Sequence, residues 1–276
     1  MRIGIVTIHR QLPPGGPSAM IDHIVGVAQR VESLDFDGIW VTDAFGRGWA
    51  TLDPMVLLGV LCAATKRIEL GTCVVQIPIR HPVEHAHRVQ TVNLLSAGRL
   101  RFGIGTGSTR ADFEAVQADY DTRFKVLPGM LETMRRTWNG EPVYGPALTQ
   151  WAGTEGGPPV LLGAWRSPRW INLAATRCQG WIASGIHGTW EDAEIGQRMY
   201  RDAGGQRAVL ANIFTDLRPE PTIPAVGRPL GISLICTPTE ARDRLRRVED
   251  LGFDDALLVC PSDDPGQLET IRNLAQ

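Results

Sequence analysis

Three short stretches carry side chains and turns able to do chemistry. The first is Gly98 to Glu114, GRLRFGIGTGSTRADFE. Leu100, Phe102 and Ile104 alternate with Arg101, Gly103 and Gly105, the period of a strand with two unlike faces. One face is bulky and apolar. The other narrows to bare glycine and leaves room for something flat against the backbone. Gly107, Ser108 and Thr109 then turn the chain, and Thr109 with Asp112 gives a helix N-cap signal. Strand, glycine turn and helix start together offer backbone N–H groups to an anion. The dinucleotide fingerprint G-x-G-x-x-G does not fit, because its last position falls on Ser108 or Arg110. A tight turn with no ligand is the plain alternative.

The second stretch is Gly163-Ala164-Trp165-Arg166-Ser167 ahead of Pro168. A helix start capped by Ser167, with the Arg166 guanidinium beside it, suits a phosphate. A solvated loop charge is the alternative for Arg166. The third is His81-Pro82-Val83-Glu84-His85, the H-x-x-E-H pattern of some zinc proteases. Zinc needs both histidines on one face of a continuing helix and a third ligand. Pro82 puts His81 at or before the helix start, so no metal site is expected. His85, His87 and Arg88 are expected on a solvated helix face.

These stretches sit at regular places in an alternating chain. Strands are expected at Ile3–Ile8, Gly38–Thr42, Ile68–Ile77, Leu100–Gly105, Val160–Leu162, Trp181–Ser184, Ala208–Thr215 and Ala256–Cys260. Helices are expected at Ala19–Leu34, Asp53–Ala64, Pro82–Leu95, Arg123–Trp138, Pro168–Thr176, Trp190–Ala203, Pro238–Leu251 and Pro265–Leu274. Asp53-Pro54, His81-Pro82, Ser167-Pro168 and Thr237-Pro238 each put proline where a helix lacks a partner for its N–H. Asp53, Ser167 and Thr237 are good caps, and Thr237 with Glu240 makes a capping box. Val143–Pro159 reads as a long loop, and the segment from Thr215 to Pro229 as irregular. Strict alternation argues for a parallel sheet, and eight units argue for a single-domain (β/α)₈ TIM barrel over residues 1–276. In that fold a site forms where strands hand over to helices. His9, Asp43 and His187 lie there as acid/base candidates. So do Cys73–Pro78, Thr106–Ser108, Gly163–Ser167 and Ser184–His187.

Composition narrows the partners. Hydrophobic residues make up 43% of 276 residues, enough for a large core. The 28 basic and 30 acidic residues are mixed along the chain, with no basic stripe to bind nucleic acid. The longest apolar run, Pro54–Ala64, is too short to cross a membrane, and no leader is expected before the first strand. Cys62, Cys73, Cys178, Cys236 and Cys260 are scattered, without C-x-x-C, as in reduced cytoplasmic proteins. Trp40, Trp138, Trp170 and Trp181 are expected in the core, whereas Trp49, Trp151 and Trp165 fall in loops that reach toward a barrel mouth.

Four segments in order, FDGIWVTDAF, RIELGTCVVQIPIRHP, LLSAGRLRFGIGTGS and PPVLLGAWRSPRWINLAA, resemble the bacterial luciferase-like superfamily. The resemblance runs from Met1 to the capped helix in TPTEARDRLRRVEDLGF. It implies a flavin (FMN) or the deazaflavin coenzyme F-420 as cofactor, and often a homodimer. It also implies a non-proline cis peptide at Cys73–Val74, with the backbone bulging under the flavin's central ring. Thr106, Gly107 and Ser108, and Gly163, Ala164, Trp165, Arg166 and Ser167, would lie close to that ring and its tail.

One departure stands out. The family commonly has histidine after the acid that follows strand two; here Asp43 is followed by Ala44. Asp43 as an acid/base group and Asp43 as part of a polar network remain open, as do His9 and His187 as substitutes for the missing histidine. The reading favoured is hydride transfer with coenzyme F-420 on a small organic substrate. A monooxygenase using reduced FMN, and a flavin-binding barrel without turnover, are the alternatives. Lys66 and Lys125, the only lysines among the 28 basic residues, hint at a GC-rich bacterial genome. Neither lies at a strand end, which argues against a Schiff-base aldolase.

Overall fold

Short apolar strands followed by proline-started helices build a closed parallel barrel in the computed structural model, which describes residues 1–221, 230–260 and 265–274. Its staves are β1 (Arg2–Thr7), β2 (Gly38–Val41), β3 (Glu69–Thr72) continued by β4 (Val75–Gln76), β5 (Leu100–Gly105), β6 (Val160–Gly163), β7 (Gly180–Ser184), β8 (Ala208–Asp216) and β10 (Asp255–Val259). Each pairs in parallel with its neighbour, and β10 bridges β8 and β1 to close the ring. The outer helices are α1 (Met20–Ser33), α2 (Pro54–Ala64), α3 (Pro82–Leu95), α5 (Arg123–Trp138), α6 (Pro168–Arg177), α7 (Trp190–Asp202), α8 (Pro238–Asp250) and α9 (Pro265–Leu274). The expected (β/α)₈ TIM barrel is therefore the observed fold.

Two further short elements are present. α4 (Arg110–Glu114) follows β5 where Thr109 and Asp112 signalled a helix start, and β9 (Ser233–Ile235), which was not expected, pairs beside the end of β8. Both are too short to show a period. The expected irregular segment runs up to Pro229, and residues 222–229 lie outside the described residues.

Period-two alternation splits the core into two shells. Ile3, Ile5, Ile39, Val41 and Leu70 face outward onto the helices. Val6, Trp40, Leu161, Ile182, Val209 and Leu257 fill the barrel. Trp40 is wide, and glycines make room for it. A Cβ at Gly71 would lie 2.1 Å from its ring, and Cβ atoms at Gly4 and Gly38 within 2.9 Å. The bare face of β5, expected to await a flat ligand, is filled by the chain itself. A Cβ at Gly103 would sit 1.9 Å from the Thr72 carbonyl oxygen, and the Thr72 hydroxyl donates to the Gly103 carbonyl at 2.7 Å.

At the opposite end from the helix starts, charge closes the barrel. Glu69, the first residue of β3, pairs with Arg2 and Arg207 at 2.7 Å and with Arg101 at 2.8 Å. Asp255, the first residue of β10, pairs with Arg207 at 2.7 Å.

Caps behave unevenly. Asp53 accepts from Met55 and Val56, and Thr237 with Glu240 forms the full capping box. Ser167 holds the N-cap position of α6 but its side chain makes no cap bond, and neither does Thr109 before α4. His85 corrects the expectation of a solvated face. It is 1% exposed, packed on Phe102 with ring centroids 5.8 Å apart, and its Nε2 has no partner among the described residues. Pro82 does start α3 with His81 outside it, and no group of three metal-binding side chains occurs among the described residues.

Two measurements follow from this packing. Gly103→Ala is expected to cost about 3 kcal/mol in urea unfolding, because backbone must move. Gly26→Ala, in open space on α1, is expected to gain about 0.5–1 kcal/mol. Burial, with Arg80 and Arg88 nearby, pushes the His85 pKa down from 6.5 to about 3. Above pH 6.5 both folded and unfolded imidazoles are neutral. Below it the unfolded chain takes the proton first, so stability falls as pH drops toward 3, by about 2 kcal/mol at pH 5. His85→Leu is expected to flatten that limb in a pH series of urea midpoints.

Candidate active site

A cavity of about 630 Å³ opens at the C-terminal ends of the strands. Its floor is apolar: Ile8, Val74, Ile182 and Phe214 lie on top of the barrel's inner shell. Val74 is lifted there because the third stave is interrupted. The Cys73–Val74 peptide bond is cis, and β3 ends and β4 begins on either side of it. Two glycines accept the raised side chain. A Cβ at Gly105 would lie 2.6 Å from Val74 Cγ2, and one at Gly163 would lie 3.1 Å from Val74 Cγ1. Cys73 beneath is buried at the edge of the cavity, and burial pushes its thiol up to about 12, so it is a small apolar filler rather than a nucleophile.

Two turns form facing walls. After β5, Gly107 has φ +80°, and a Cβ there would be 2.6 Å from Gln76 Oε1 and 2.8 Å from Phe113. Tyr120 donates its hydroxyl to the Ser108 carbonyl at 3.1 Å, and Arg123 Nε donates to the Gly107 carbonyl at 3.2 Å. After β6, Trp165 leans on the His187 ring with centroids 5.1 Å apart. Arg166 pairs with Asp192 at 3.1 Å, and Asp192 also closes the capping box of α7. Thus the Arg166 charge is shared with a carboxylate before any anion arrives.

A chain of matched charges braces the third wall. Arg80 donates to both oxygens of Asp43, at 2.7 and 2.8 Å. The Gln76 backbone N–H donates to Asp43 Oδ2 at 2.9 Å. Gln76 Nε2 donates to Asp112 Oδ2 at 2.9 Å, and Arg47 grips Asp112 with Nε and Nη2. Asp112, offered by sequence as a cap partner, is instead a buried counter-ion. Gln76 Oε1 is left as an acceptor with no partner among the described residues. Two arginines at the rim have no carboxylate partner among the described residues. Arg10 lies over Trp49 at 4.5 Å, and Arg123 over Tyr120 at 3.6 Å. Burial, then the nearby Arg47 charge, lowers the Arg10 pKa from its usual value.

The sequence-selected residues can now be placed. Cys73, Val74, Thr106, Gly107, Ser108, Gly163, Ala164, Trp165, Arg166 and Ser167 all line this one cavity, together with Asp43, Ala44 and His187. His9 is not in its lining. Its ring meets His23 edge-on at 5.7 Å, and burial followed by His23 lowers its pKa to about 4. Trp49 and Trp151 stay exposed and outside the lining, and Trp170 is both core and cavity wall. Gln76 lies within the strand-end stretch Cys73–Pro78 that sequence selected, whereas sequence reasoning missed Arg10, Tyr120, Arg123, Asn212 and Phe214. Arg10 carried a signal, since it follows the C-terminal end of β1 by three residues.

The luciferase-like monooxygenase family model matches residues 1–211. The chain belongs to the luciferase-like monooxygenase family. Among this family member's relatives is the alkanal monooxygenase alpha chain of the Kryptophanaron alfredi symbiont, 26% identical over 192 residues. That match covers 58% of this chain and 54% of the relative, so the chain spans about half the relative's length. The FMN complex of the oxygenating constituent of 3,6-diketocamphane monooxygenase from Pseudomonas putida superposes with a TM-score of 0.77 at 15% identity, covering 99% and 96% of the two chains. The coenzyme F-420-dependent tetrahydromethanopterin reductase of Methanopyrus kandleri superposes with 0.75 at 15% identity, covering 98% and 97%. At these identities the likeness is one of fold.

Held by Arg80 and the Gln76 backbone, Asp43 is a structural anchor that stability measurements can read. Asp43→Asn leaves Arg80 without its bidentate partner and is expected to cost about 3 kcal/mol in urea unfolding. Adding Arg80→Met is expected to return part of that loss, which a double-mutant cycle measures.

Proposed function

We propose that this protein is an oxidoreductase that seats a flavin-type cofactor over Val74 on one side of the cavity floor, with coenzyme F-420 as the hydride carrier for a small organic substrate. The observation that carries the reading is the cradle: Val74 stands over Gly105 and Gly163 between two turns whose residues line the same cavity. Its volume falls in the range of small-molecule sites. A flat ring fits that arrangement, with Val74 under one face, Thr106–Ser108 and Gly163–Ser167 along its edges, and Gln76 Oε1 as an acceptor for a ring N–H. The bound cofactor would supply the hydride. The protein's own residues orient it and exclude water.

Arg10 and Arg123 at the rim favour coenzyme F-420, whose tail carries a phosphodiester and glutamate carboxylates where FMN has one phosphate. For proton handling we put His187 first, because its imidazole lines the cavity beside Trp165. Asp43, with both oxygens engaged, serves better as the anchor of Arg80 and Gln76. His9 faces His23 outside the lining. A reduced-FMN monooxygenase is the second reading, supported by the monooxygenase relatives. Ala44 in the wall keeps a flavin-binding barrel without turnover as a third. Free thiols at all five cysteines support a reducing compartment such as the cytoplasm. No described helix is long and apolar enough to cross a membrane. Exposed Val56 and Ala63 on α2, and Leu95 on α3, support a homodimer.

Titration of the purified protein with FMN and with coenzyme F-420, each oxidised and reduced, tests the reading through quenching of Trp165 and Trp170. Tighter binding of coenzyme F-420 is expected. Tighter binding of reduced FMN would favour the monooxygenase, and binding of neither at micromolar concentration would overturn the cofactor assignment.

A further inference from the structure

β8 carries one residue more than its partner. Val209 and Leu210 face Asp255 and Ala256, whereas Ile213 and Phe214 face Leu258 and Val259. Ala211 and Asn212 together therefore oppose Leu257. One extra residue flips the phase of everything after it. Val209 and Ala211 point into the barrel, and strict alternation would send Ile213 inward next. Instead Ile213 packs outward on the helix layer, and Phe214 meets the cavity. The residue at the bulge, Asn212, has φ +60°, a region where asparagine is among the few side chains tolerated. Asn212 lines the cavity, and its amide has no hydrogen-bond partner among the described residues.

The neighbouring strand ends with a second unused polar group. Ser184 pairs in register with Ala211 and lines the same cavity. Its Oγ is buried with no partner among the described residues. Ile8, Ile182, Phe214 and the Trp165 ring supply apolar wall to the same cavity, with His187 against that ring. β7 and β8 also lie across the barrel from β4, whose Gln76 belongs to the wall assigned to the cofactor.

We infer that Ser184 and Asn212 form a polar subsite for the carbonyl oxygen of an otherwise apolar organic substrate, whose body lies against Ile182 and Phe214. This deepens, and rests on, the proposed reading of the cavity as a redox site. A hydroxyl and an amide NH₂ are two uncharged donors, and a carbonyl oxygen has two lone pairs to receive them. Neither group carries the charge that a phosphate or carboxylate would demand. A ligand lacking the oxygen would leave both donors buried and unpaired, which is how such sites discriminate.

The test uses the ¹⁵N-labelled full chain and two probes of matched shape, acetophenone and α-methylstyrene, in which C=CH₂ replaces C=O. The Asn212 side-chain NH₂ resonances are identified by their loss in Asn212→Gly, a change that keeps the left-handed backbone. Acetophenone is expected to move them downfield and to bind about tenfold more tightly than α-methylstyrene. Asn212→Gly and Ser184→Ala are each expected to reduce that preference. Unmoved Asn212 resonances, equal shifts with both probes, or an undiminished preference in Asn212→Gly would each overturn the subsite. Titrating FMN and coenzyme F-420 into the same samples separates the two readings. Cofactor binding without ketone preference removes the subsite alone. Ketone preference without cofactor binding keeps the carbonyl site and removes the flavin reading.

Discussion

The close approach of the Thr72–Val74 backbone to the glycine face of β5 is the constraint on which the upper half of this barrel depends. The Thr72 carbonyl lies where a side chain on Gly103 would be, and Val74 rests where side chains on Gly105 and Gly163 would be. Three glycines on two adjacent strands thus let one interrupted strand lean inward. Below that point Trp40 fills the barrel against Gly4, Gly38 and Gly71. Above it the interior is open. The boundary between packed core and cavity is therefore one side chain deep, with Val74 beside Ile8, Ile182 and Phe214.

Electrostatics divide the two ends of the barrel in a different way. At the closed end, Glu69 sits among Arg2, Arg101 and Arg207. Burial alone would raise its pKa, but hydrogen bonds from Arg207 and Arg2 hold it below the usual carboxylate range. At the open end, Asp43 and Asp112 are each gripped by an arginine and bridged by Gln76. Breaking such buried pairs is costly even where forming them contributes little, so they act as braces more than as a source of stability. With both carboxylates neutralised, the rim's remaining charge comes from Arg10 and Arg123. The wall is rigid and matched, while the entrance stays positive.

Much of this could be seen in the sequence because the signals were local. Proline at the first helical position and β-type apolar runs gave the strand–helix alternation, and barrel topology then gathered distant turns into one cavity. What escaped depended on partners far along the chain. The glycines of β5 signalled vacant space, but sequence could not say that Thr72 and Val74 would take it. His85 sits in a polar helix, and only its packing on Phe102 buries it. Ser167 has the right type for a cap and the right backbone, yet makes no cap bond. Asp112 turned from its own helix to answer Arg47 and Gln76. Asn212 had no signal, since a bulge is a mismatch between two strands and belongs to neither alone.

That mismatch has a consequence for how such a cavity evolves. Most changes to a barrel's lining replace one side chain by another at a fixed position. β8 offers a different route. Loss of a single codon at Asn212 would restore strict alternation with Ala211 opposite Leu257, and would leave Ile213 outward and Phe214 in the cavity, while the seven other staves kept their sequences. The aromatic wall would stay, and its polar neighbour alone would vanish. The bulge thus places the pocket's polar group on a residue outside the strand's alternation, so that its polarity can be gained or lost by a change of length that leaves the apolar wall where it was.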